Sequence, residues 1–296
     1  MRFSVWPTTT QSWTDLSELA RHAAATGWDG LWVADHFMGP SEPADGPMLE
    51  CWSVLAGLAT SVGRLRLGPL VSGNTYRHPA VLANMASTID HLSGGRFVLG
   101  LGAGWQENEH TAYGLAAYDV PGRLARLEEA CAVLRALFDE PRAEFSGRFY
   151  ALKNAPMEPK PLQAHLPLLI GGGGEQVTLR IVARFADEWN TWGLPEVLAR
   201  KGAVLARHCE AIGRDPATIA HSAQVLVALE GTGELPARLP GIRVSAAEMQ
   251  DLLGRYRDAG VDEFILPDWN LGTAAVRADV LDRFIGEIAA PFRDAR

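Results

Sequence analysis

The feature that most constrains this chain is a regular alternation of short apolar runs and longer amphipathic stretches along its 296 residues. The pattern predicts eight strands and eight helices, or about 37 residues for each pair, near the size of one unit of a (β/α)8 barrel. Strict alternation implies a parallel sheet covered by helices. We therefore expect one α/β domain over residues 1–296, a (β/α)8 TIM barrel, with an open doubly wound sheet as the competing topology.

The predicted elements follow hydrophobic periodicity. The predicted strands are Arg2–Trp6, Gly30–Ala34, Leu65–Val71, Arg96–Leu101, Leu166–Ile170, Glu188–Thr191, Ile219–Ala228 and Glu263–Leu266. The predicted helices are Asp15–Thr26, Cys51–Ser61, Ala80–Leu92, Arg123–Phe138, Glu175–Phe185, Pro195–Ile212, Ala246–Ala259 and Ala274–Pro291. Residues 139–166 break the rhythm with four prolines and the segment "EFSGRFYAL", which predicts a hairpin insertion before the fifth strand, at the barrel's mouth or edge. A second polar stretch, 231–241, contains two prolines and is predicted to be mobile.

Composition and motif spacing exclude several classes of function. The net charge is −8, whereas a general nucleic-acid binder needs a basic surface. The three cysteines, Cys51, Cys131 and Cys209, lie far apart, so no disulfide framework is expected. The chain has no HExxH or GxSxG motif, which argues against a metal centre and a serine hydrolase. It has no signal-like start and no long apolar stretch, so we expect a cytoplasmic protein that does not enter a membrane.

Two adjacent ionisable residues, Asp35 and His36, end the second predicted strand in "GLWVADHF". In a (β/α)8 barrel the carboxyl ends of the strands build the active site, so both residues are expected at the mouth. Histidine exchanges protons near neutral pH, and a neighbouring carboxylate can orient it. The alternative is that Asp35 caps the following loop and His36 is an ordinary polar residue.

Two glycine-rich segments follow other predicted strands. In "RFVLGLGAGW", Gly100, Gly102 and Gly104 would let the backbone approach a flat or phosphorylated ligand, although packing inside the barrel would also favour them. In "PLLIGGGGEQ", four glycines lead into a helix near Glu175. Amides at a helix N-terminus bind phosphate, so we expect an anion site here, and the alternative is a purely structural turn.

With these residues in view, the sequence resembles the bacterial luciferase-like monooxygenase superfamily, and more closely the branch that uses the deazaflavin coenzyme F420. The resemblance is carried by "GWDGLWVADHF", "YRHPAVLANMASTIDHLSGGRFVLGLGAGWQENEHTAYG" and "PLLIGGGGEQVTLRIVARFADEWN". Beyond Trp192 the chain is only generically similar. The resemblance implies a barrel with the coenzyme at its C-terminal mouth, and it implies a homodimer.

The resemblance also implies roles for individual residues. Asp35 matches a coenzyme contact, and His36 matches the catalytic acid or base. A non-prolyl cis peptide that backs the deazaflavin ring is expected within Pro69–Val71. The other positions that match coenzyme contacts are Leu70, Val71, Ser72, Ala103, Gly104, Asn108, Gly173, Gly174, Gln176 and Val177, the last four at a phosphate-binding turn.

The chain departs from the sugar-phosphate dehydrogenases of that branch. Trp105 stands where they carry a catalytic Glu, and their phosphate-binding Thr and Lys are not recognisable in "NTWGLPE". Trp6, Trp105, Trp189 and Trp192 would instead make the mouth aromatic, which indicates a flat, apolar or conjugated substrate.

The sequence therefore predicts an oxidoreductase that transfers a hydride between F420 and a small organic molecule, with His36 moving the accompanying proton. Local cations such as Arg77 or Arg180 are expected to offset the acidic charge of the chain near the anionic coenzyme. Two alternatives stay open. One is an FMN-dependent monooxygenase that uses O2, although the Asp35-His36 pair favours F420. The other is a barrel that binds the coenzyme without catalysis.

Overall fold

The computed structural model describes residues 1–40, 44–229, 235 and 240–293, so most of the predicted polar stretch 231–241 lies outside the described residues. The strands are β1 (Arg2–Trp6), β2 (Gly30–Val33), β3 (Arg66–Pro69), β4 (Ser72–Gly73), β5 (Leu99–Gly102), β6 (Ala143–Ser146), β7 (Ala151–Ala155), β8 (Leu168–Gly171), β9 (Glu188–Trp192), β10 (Ala220–Gln224), β11 (Leu226–Leu229), β12 (Gly241–Val244) and β13 (Glu263–Pro267). The α-helices are α1 (Trp13–Thr26), α2 (Cys51–Ser61), α3 (Pro79–Ser93), α4 (Glu107–Tyr113), α5 (Val120–Asp139), α6 (Thr178–Phe185), α7 (Pro195–Glu210), α8 (Ala246–Asp258) and α9 (Ala274–Arg283).

Nine strands form one parallel sheet in the order β3-β2-β1-β13-β10-β9-β8-β5-β4. The two end strands are successive halves of one barrel strand, because only Leu70 and Val71 separate β3 from β4. β4 pairs with β5, and the Val98 amide donates to the Leu67 carbonyl at 2.9 Å, which joins β3 to the chain entering β5. The sheet therefore closes on itself, and the predicted (β/α)8 barrel is confirmed over the open sheet.

The predicted hairpin insertion is present as the antiparallel pair β6 and β7. Its turn packs on the outside of the barrel, where the amides of Arg148 and Phe149 each donate to Glu129 of α5 at 2.8 Å. The hairpin therefore extends the helical layer at the edge of the barrel.

Two helices begin earlier than predicted because a side chain caps the helix N-terminus at an earlier residue. α1 begins at Trp13, two residues before the predicted start, because the Ser12 hydroxyl accepts from the Asp15 amide at 3.2 Å. α5 begins at Val120, since the Asp119 carboxylate accepts from the Gly122 amide at 2.8 Å. The short helix α4 and the strand β12 had no counterpart in the predicted elements.

Side chains on the strands alternate between two cores. Outward-facing residues pack against the helices, and inward-facing residues fill the barrel with Trp6, Trp32, Leu70, Val98, Leu169 and Ile265. The lower end of the barrel holds an ionic layer, in which Arg66 donates to Glu263 at 3.0 Å and also to Glu188. These filled layers leave the carboxyl ends of the strands as the part of the barrel where a ligand can bind.

Two absences can be stated for residues 1–40, 44–229, 235 and 240–293. None of their helices is long and apolar enough to span a membrane. No three His, Cys, Asp or Glu side chains in this part of the chain come together in a way that could hold a metal ion.

Candidate functional site

Asp35 follows β2 at the mouth of the barrel, and its side chain is fully buried. Its Oδ2 accepts hydrogen bonds from the Ser72 hydroxyl at 2.7 Å and from the Gly73 amide at 3.3 Å. The Arg77 guanidinium donates to both carboxylate oxygens, at 2.6 and 3.1 Å. Asp35 thus ties β2 to β4, and the fold brings it together with Ser72, another residue predicted to contact the coenzyme.

Arg77 supplies the cation at this mouth. Besides Asp35, it contacts Oε1 of Glu50 at 2.8 Å, and Glu50 also caps α2. Arg180, the other cation predicted near the coenzyme, lies on α6 and is directed to Glu128 of α5, 3.8 Å away. Because Arg180 is half-exposed and faces Glu128, a role for it near the coenzyme stays a prediction.

His36 follows Asp35, and about a quarter of its side chain is exposed. Its Nδ1 lies 3.1 Å from Oε2 of Glu109 on α4, and the Glu109 side chain is completely buried. Oε1 of Glu109 accepts from the amides of Phe37 at 2.6 Å and Met38 at 3.1 Å. The carboxylate that contacts His36 is therefore Glu109, and the adjacent Asp35 bonds elsewhere.

Glu109 is held ionised by its partners. Burial acts to raise the pKa of Glu109, but the hydrogen bonds from His36 and Tyr76, the charge of His36 and the Phe37 amide outweigh it and lower that pKa. The Tyr76 hydroxyl donates to Oε2 of Glu109. Burial and this hydrogen bond raise the pKa of Tyr76, so the phenol keeps its proton. A buried carboxylate that accepts from the Phe37 and Met38 amides and the Tyr76 hydroxyl therefore lies directly behind His36.

Three tryptophans form an aromatic wall at the mouth. Trp6 lies 4.7 Å from Trp269 and 5.7 Å from Trp192 between ring centroids, and Trp192 and Trp269 are also 5.7 Å apart. Trp6 is buried, and its indole Nε1 has no hydrogen-bond partner among the described residues. Trp105 lies apart from this wall, with 60% of its surface exposed and its ring edge-on to His36 at 5.5 Å.

The prediction that Trp189 lines the mouth was wrong. Trp189 is fully buried in the outer core between sheet and helices, and its indole Nε1 donates to the Gly172 carbonyl at 2.8 Å. Trp192 belongs to the inner core of the barrel. Since side chains alternate along a strand, residues three apart on β9 face opposite sides of the sheet.

The interruption between β3 and β4 contains the predicted cis peptide, which joins Leu70 to Val71. Both residues lie inside the barrel. A Cβ on Gly102 would come within 2.6 Å of the Val71 side chain, and one on Gly171 within 2.8 Å. A Cβ on Gly100 would lie 1.9 Å from the Pro69 carbonyl oxygen. Packing therefore requires these three glycines. For Gly100 and Gly102, this agrees with the alternative explanation of the first glycine-rich segment, that packing inside the barrel favours glycine.

Other predicted coenzyme contacts lie on the loop after β5, at Ala103, Gly104 and Asn108. Gly104 has φ = +80°, and a Cβ there would lie 2.6 Å from the Thr75 hydroxyl. Asn108 donates to the Gly39 carbonyl at 3.0 Å and accepts from the Glu109 amide at 3.0 Å, so it also fixes the loop. Nearby Asn74 is buried, and its Oδ1 has no hydrogen-bond partner among the described residues. That free acceptor is a polar group to which a ligand could bind.

The loop after β8 contains Gly173, Gly174, Gln176 and Val177. α6 begins at Thr178, three residues later than predicted, and the residue before it, Val177, provides no side-chain cap. Lys201 of α7 donates to the Gly173 carbonyl and lies 3.3 Å from Glu175, which fixes the loop. No side chain caps α6, although the Leu179 amide donates to the Gly174 carbonyl at 3.0 Å. The other amides of this first turn, together with the nearby Lys201, could bind an anion.

Two cavities differ in their relation to these residues. The larger one, about 350 Å³, lies between the end of α5 and the chain entering β8, at the opposite end of the barrel from Asp35 and His36. A smaller one, about 110 Å³, is lined by Trp105, His110 and Tyr118, among others, and adjoins the mouth. We place the site at the mouth, because catalytic side chains of (β/α)8 barrels converge there and the larger cavity contains none of them.

Sequence reasoning missed Glu109, Tyr76 and Trp269. Each becomes part of the site only through contacts between elements distant in sequence. Glu109 and Tyr76 stand within quoted family segments but carried no local signal of their contact with His36.

The closed parallel barrel and the polar groups at its mouth define a (β/α)8 barrel of the kind that binds ligands at the carboxyl ends of its strands. The sequence model of the luciferase-like monooxygenase family matches residues 1–235. The chain therefore belongs to the luciferase-like monooxygenase family.

The proteins similar to this chain include both F420-dependent enzymes and a monooxygenase. An F420-dependent glucose-6-phosphate dehydrogenase of Kineococcus radiotolerans is 35% identical over 164 residues, which cover 55% of this chain and 48% of that protein. The chain spans about half the length of the curated relatives that it matches most strongly. Two solved structures share the fold over 99% or more of this chain. One is an F420-dependent secondary alcohol dehydrogenase in complex with an F420-acetone adduct, with a TM-score of 0.84, 18% identity and 99% of that chain covered. The other is the long-chain alkane monooxygenase LadA, with a TM-score of 0.83, 13% identity and 92% of that chain covered.

Proposed function

We propose that this protein is an F420-dependent oxidoreductase that transfers a hydride between the deazaflavin and a small, apolar or conjugated organic substrate. The observation that carries the proposal is the position of His36, a partly exposed imidazole backed by a buried carboxylate, directly beside the Asp35–Ser72 pair. Relatives named for F420 support the choice of coenzyme. The homodimer and the cytoplasmic location implied by the family resemblance are part of the same proposal.

The residues at the mouth fit such a coenzyme in three places. Asn74 Oδ1 is a buried acceptor without a partner, which suits an N–H or O–H group of a ligand. The loop before α6, which contains Gly173 and Gly174, together with the start of α6 at Thr178, suits a phosphate. The Asp35 carboxylate has no exposed surface, so we propose that it acts on the coenzyme through Ser72 and Arg77, which it holds in place.

The chain's own part in the reaction is to bind, orient and move a proton. When bound, F420 supplies the two-electron carrier. The aromatic wall of Trp6, Trp192 and Trp269 would hold an apolar substrate and exclude water, and the free indole N–H of Trp6 would favour a substrate with a hydrogen-bond acceptor such as a carbonyl. His36 would exchange the proton that accompanies hydride transfer.

The first test is a fluorescence titration of the purified protein with F420 and, separately, with FMN. We expect selective binding of F420. We also expect Asp35→Asn to weaken that binding about tenfold or more, because the charge-assisted bonds that orient Ser72 and Arg77 are lost. Asp282→Asn is the matched control, since Asp282 is half-exposed on α9, contacts His22 away from the mouth and should leave binding unchanged.

A preference for FMN would contradict the proposal and favour the alternative, a flavin-dependent monooxygenase, for which the shared fold with an alkane monooxygenase is the supporting observation. Tight F420 binding without reduction or oxidation by any of a panel of alcohols, ketones and enones would favour a barrel that binds the coenzyme without catalysis.

A further inference from the structure

Both carboxylate oxygens of Glu109 are bonded within the mouth. Oε1 accepts the amides of Phe37 and Met38, and Oε2 accepts the Tyr76 hydroxyl and contacts Nδ1 of His36 at 3.1 Å. Its side chain has no exposed surface. A carboxylate in this environment offers acceptors only, so every group that bonds to it must supply a hydrogen.

From this geometry we infer that Glu109 is a positioning residue, which fixes His36 with a proton on Nδ1 and leaves Nε2 as the atom that exchanges a proton with the substrate. The backbone N–H groups of Phe37 and Met38 can only donate, and the phenol of Tyr76 keeps its proton. His36 is therefore the one contact of Glu109, among these four, whose nitrogen could either donate or accept. Since Nδ1 faces Glu109, Nε2 is on the opposite edge of the ring. Among the described residues, no hydrogen bond to Nε2 is formed.

The proton transfer described next rests on the proposed function, and its protons and electrons balance in both directions of the reaction. In alcohol oxidation the O–H bond breaks and an Nε2–H bond forms on His36, while the hydride leaves the substrate carbon for the deazaflavin, which is the oxidant. The resulting imidazolium is stabilised by the ionised Glu109. In carbonyl reduction the imidazolium would return the Nε2 proton to the substrate oxygen, with the reduced coenzyme as the two-electron reductant.

The substitution Glu109→Gln should reverse the tautomer. The amide oxygen of glutamine would stay on the amides of Phe37 and Met38, because they can only donate. Its NH2 group would then face His36 and donate to Nδ1, which forces the remaining proton of neutral His36 onto Nε2. In that tautomer Nε2 cannot accept a proton, so kcat should fall at least about 100-fold with a much smaller change in KM.

The test is a long-range ¹H–¹⁵N correlation spectrum of the protein labelled with ¹⁵N-histidine, at a pH where His36 is neutral and with His36→Gln to assign its signals. We expect the Nδ1–H tautomer in the unmodified protein and the Nε2–H tautomer in Glu109→Gln. Tyr76→Phe should keep the Nδ1–H form, since the carboxylate remains. His22 and His165 contact Asp282 and Asp187 through Nε2, at 2.7 and 2.8 Å, and serve as internal references of the opposite tautomer.

An Nε2–H form of His36 in the unmodified protein would overturn the inference, and that spectrum does not depend on whether Glu109→Gln folds. An unchanged tautomer in folded Glu109→Gln would overturn it as well. Because the spectrum needs no coenzyme, a failure of F420 binding refutes the proposed function and leaves this result intact. The reverse outcome, F420 binding with the wrong tautomer, refutes only the role of Glu109.

Discussion

Replacing Arg77 by Met should leave a buried carboxylate without its counter-charge. The Asp35 side chain has no exposed surface, and Arg77 donates to both of its oxygens. In Arg77→Met the carboxylate would keep only the Ser72 hydroxyl and the longer bond from the Gly73 amide. Methionine fills much of the space of the arginine stem, so the main change is electrostatic.

The free energy of unfolding should fall by about 3 to 5 kcal/mol, the usual cost of removing one partner of a buried ion pair. For a chain of this size that corresponds to a decrease in Tm of roughly 6 to 15 °C. The bond from Arg77 to the partly exposed Glu50 adds about 1 kcal/mol at most. The largest part of the loss therefore comes from Asp35.

The assay is thermal and urea unfolding of Arg77→Met, Asp35→Asn and the double variant, followed by circular dichroism. The double variant should be more stable than the sum of the two single effects predicts, by about 2 kcal/mol, because neutral Asn needs no counter-charge. Arg200→Met is the control: Arg200 is 65% exposed and 3.5 Å from Glu175, and its loss should cost less than about 0.5 kcal/mol. Single effects that add within about 0.5 kcal/mol would refute the reasoning, since they would mean that Arg77 does not neutralise Asp35.

Two further predictions concern the barrel itself. Gly100→Ala should destabilise the protein by about 3 kcal/mol or more, because the new Cβ would lie 1.9 Å from the Pro69 carbonyl oxygen. In the control Gly63→Ala the new Cβ meets nothing within 4 Å, so the free energy of unfolding should change by less than about 0.5 kcal/mol. Equal Tm values for the two variants would contradict this packing. Burial acts to raise the pKa of Glu263, but Arg66 and other donors outweigh it and hold that pKa below its ordinary value of 4.5. The ionised Glu263 therefore stabilises the folded protein above about pH 5, and this contribution is lost as pH falls. Because Arg66 keeps its bond to Glu188, Glu263→Gln should cost about 1.5 to 3 kcal/mol at pH 7 and progressively less below pH 4.5, measured by urea unfolding across pH. A pH-independent difference would count against this prediction.

Much of this fold could be predicted because its signals are local. Apolar runs and helical spacing are properties of a few neighbouring residues, and their alternation requires a parallel sheet covered by helices. The carboxyl end of a barrel strand is likewise a position along the chain, so Asp35 and His36 could be assigned to the mouth before any contact was known, whereas Ser72 was expected there from the family resemblance. Family resemblance added the place of the cis peptide, which lies between Leu70 and Val71.

The faces of β9 show where local signals stop. Trp189 and Trp192 are three residues apart, so strand alternation already excludes that both face the mouth. Which of them faces inward is decided by the register of β9 against β8 and β10, which sets Trp192 opposite Gln224 and turns Trp189 toward the helices. A prediction from alternation alone could have rejected one of the two, but could not have chosen between them.

The sequence by itself determined the barrel, the location of its mouth and the histidine that stands there. The partner of that histidine was decided only by tertiary structure. His36 and Glu109 are separated by 73 residues, and their contact depends on how the short helix α4 packs against the segment after β2. No spacing rule connects residues on two different strand-helix units, because the distance between them is set by closure of the whole barrel rather than by the chain near either residue.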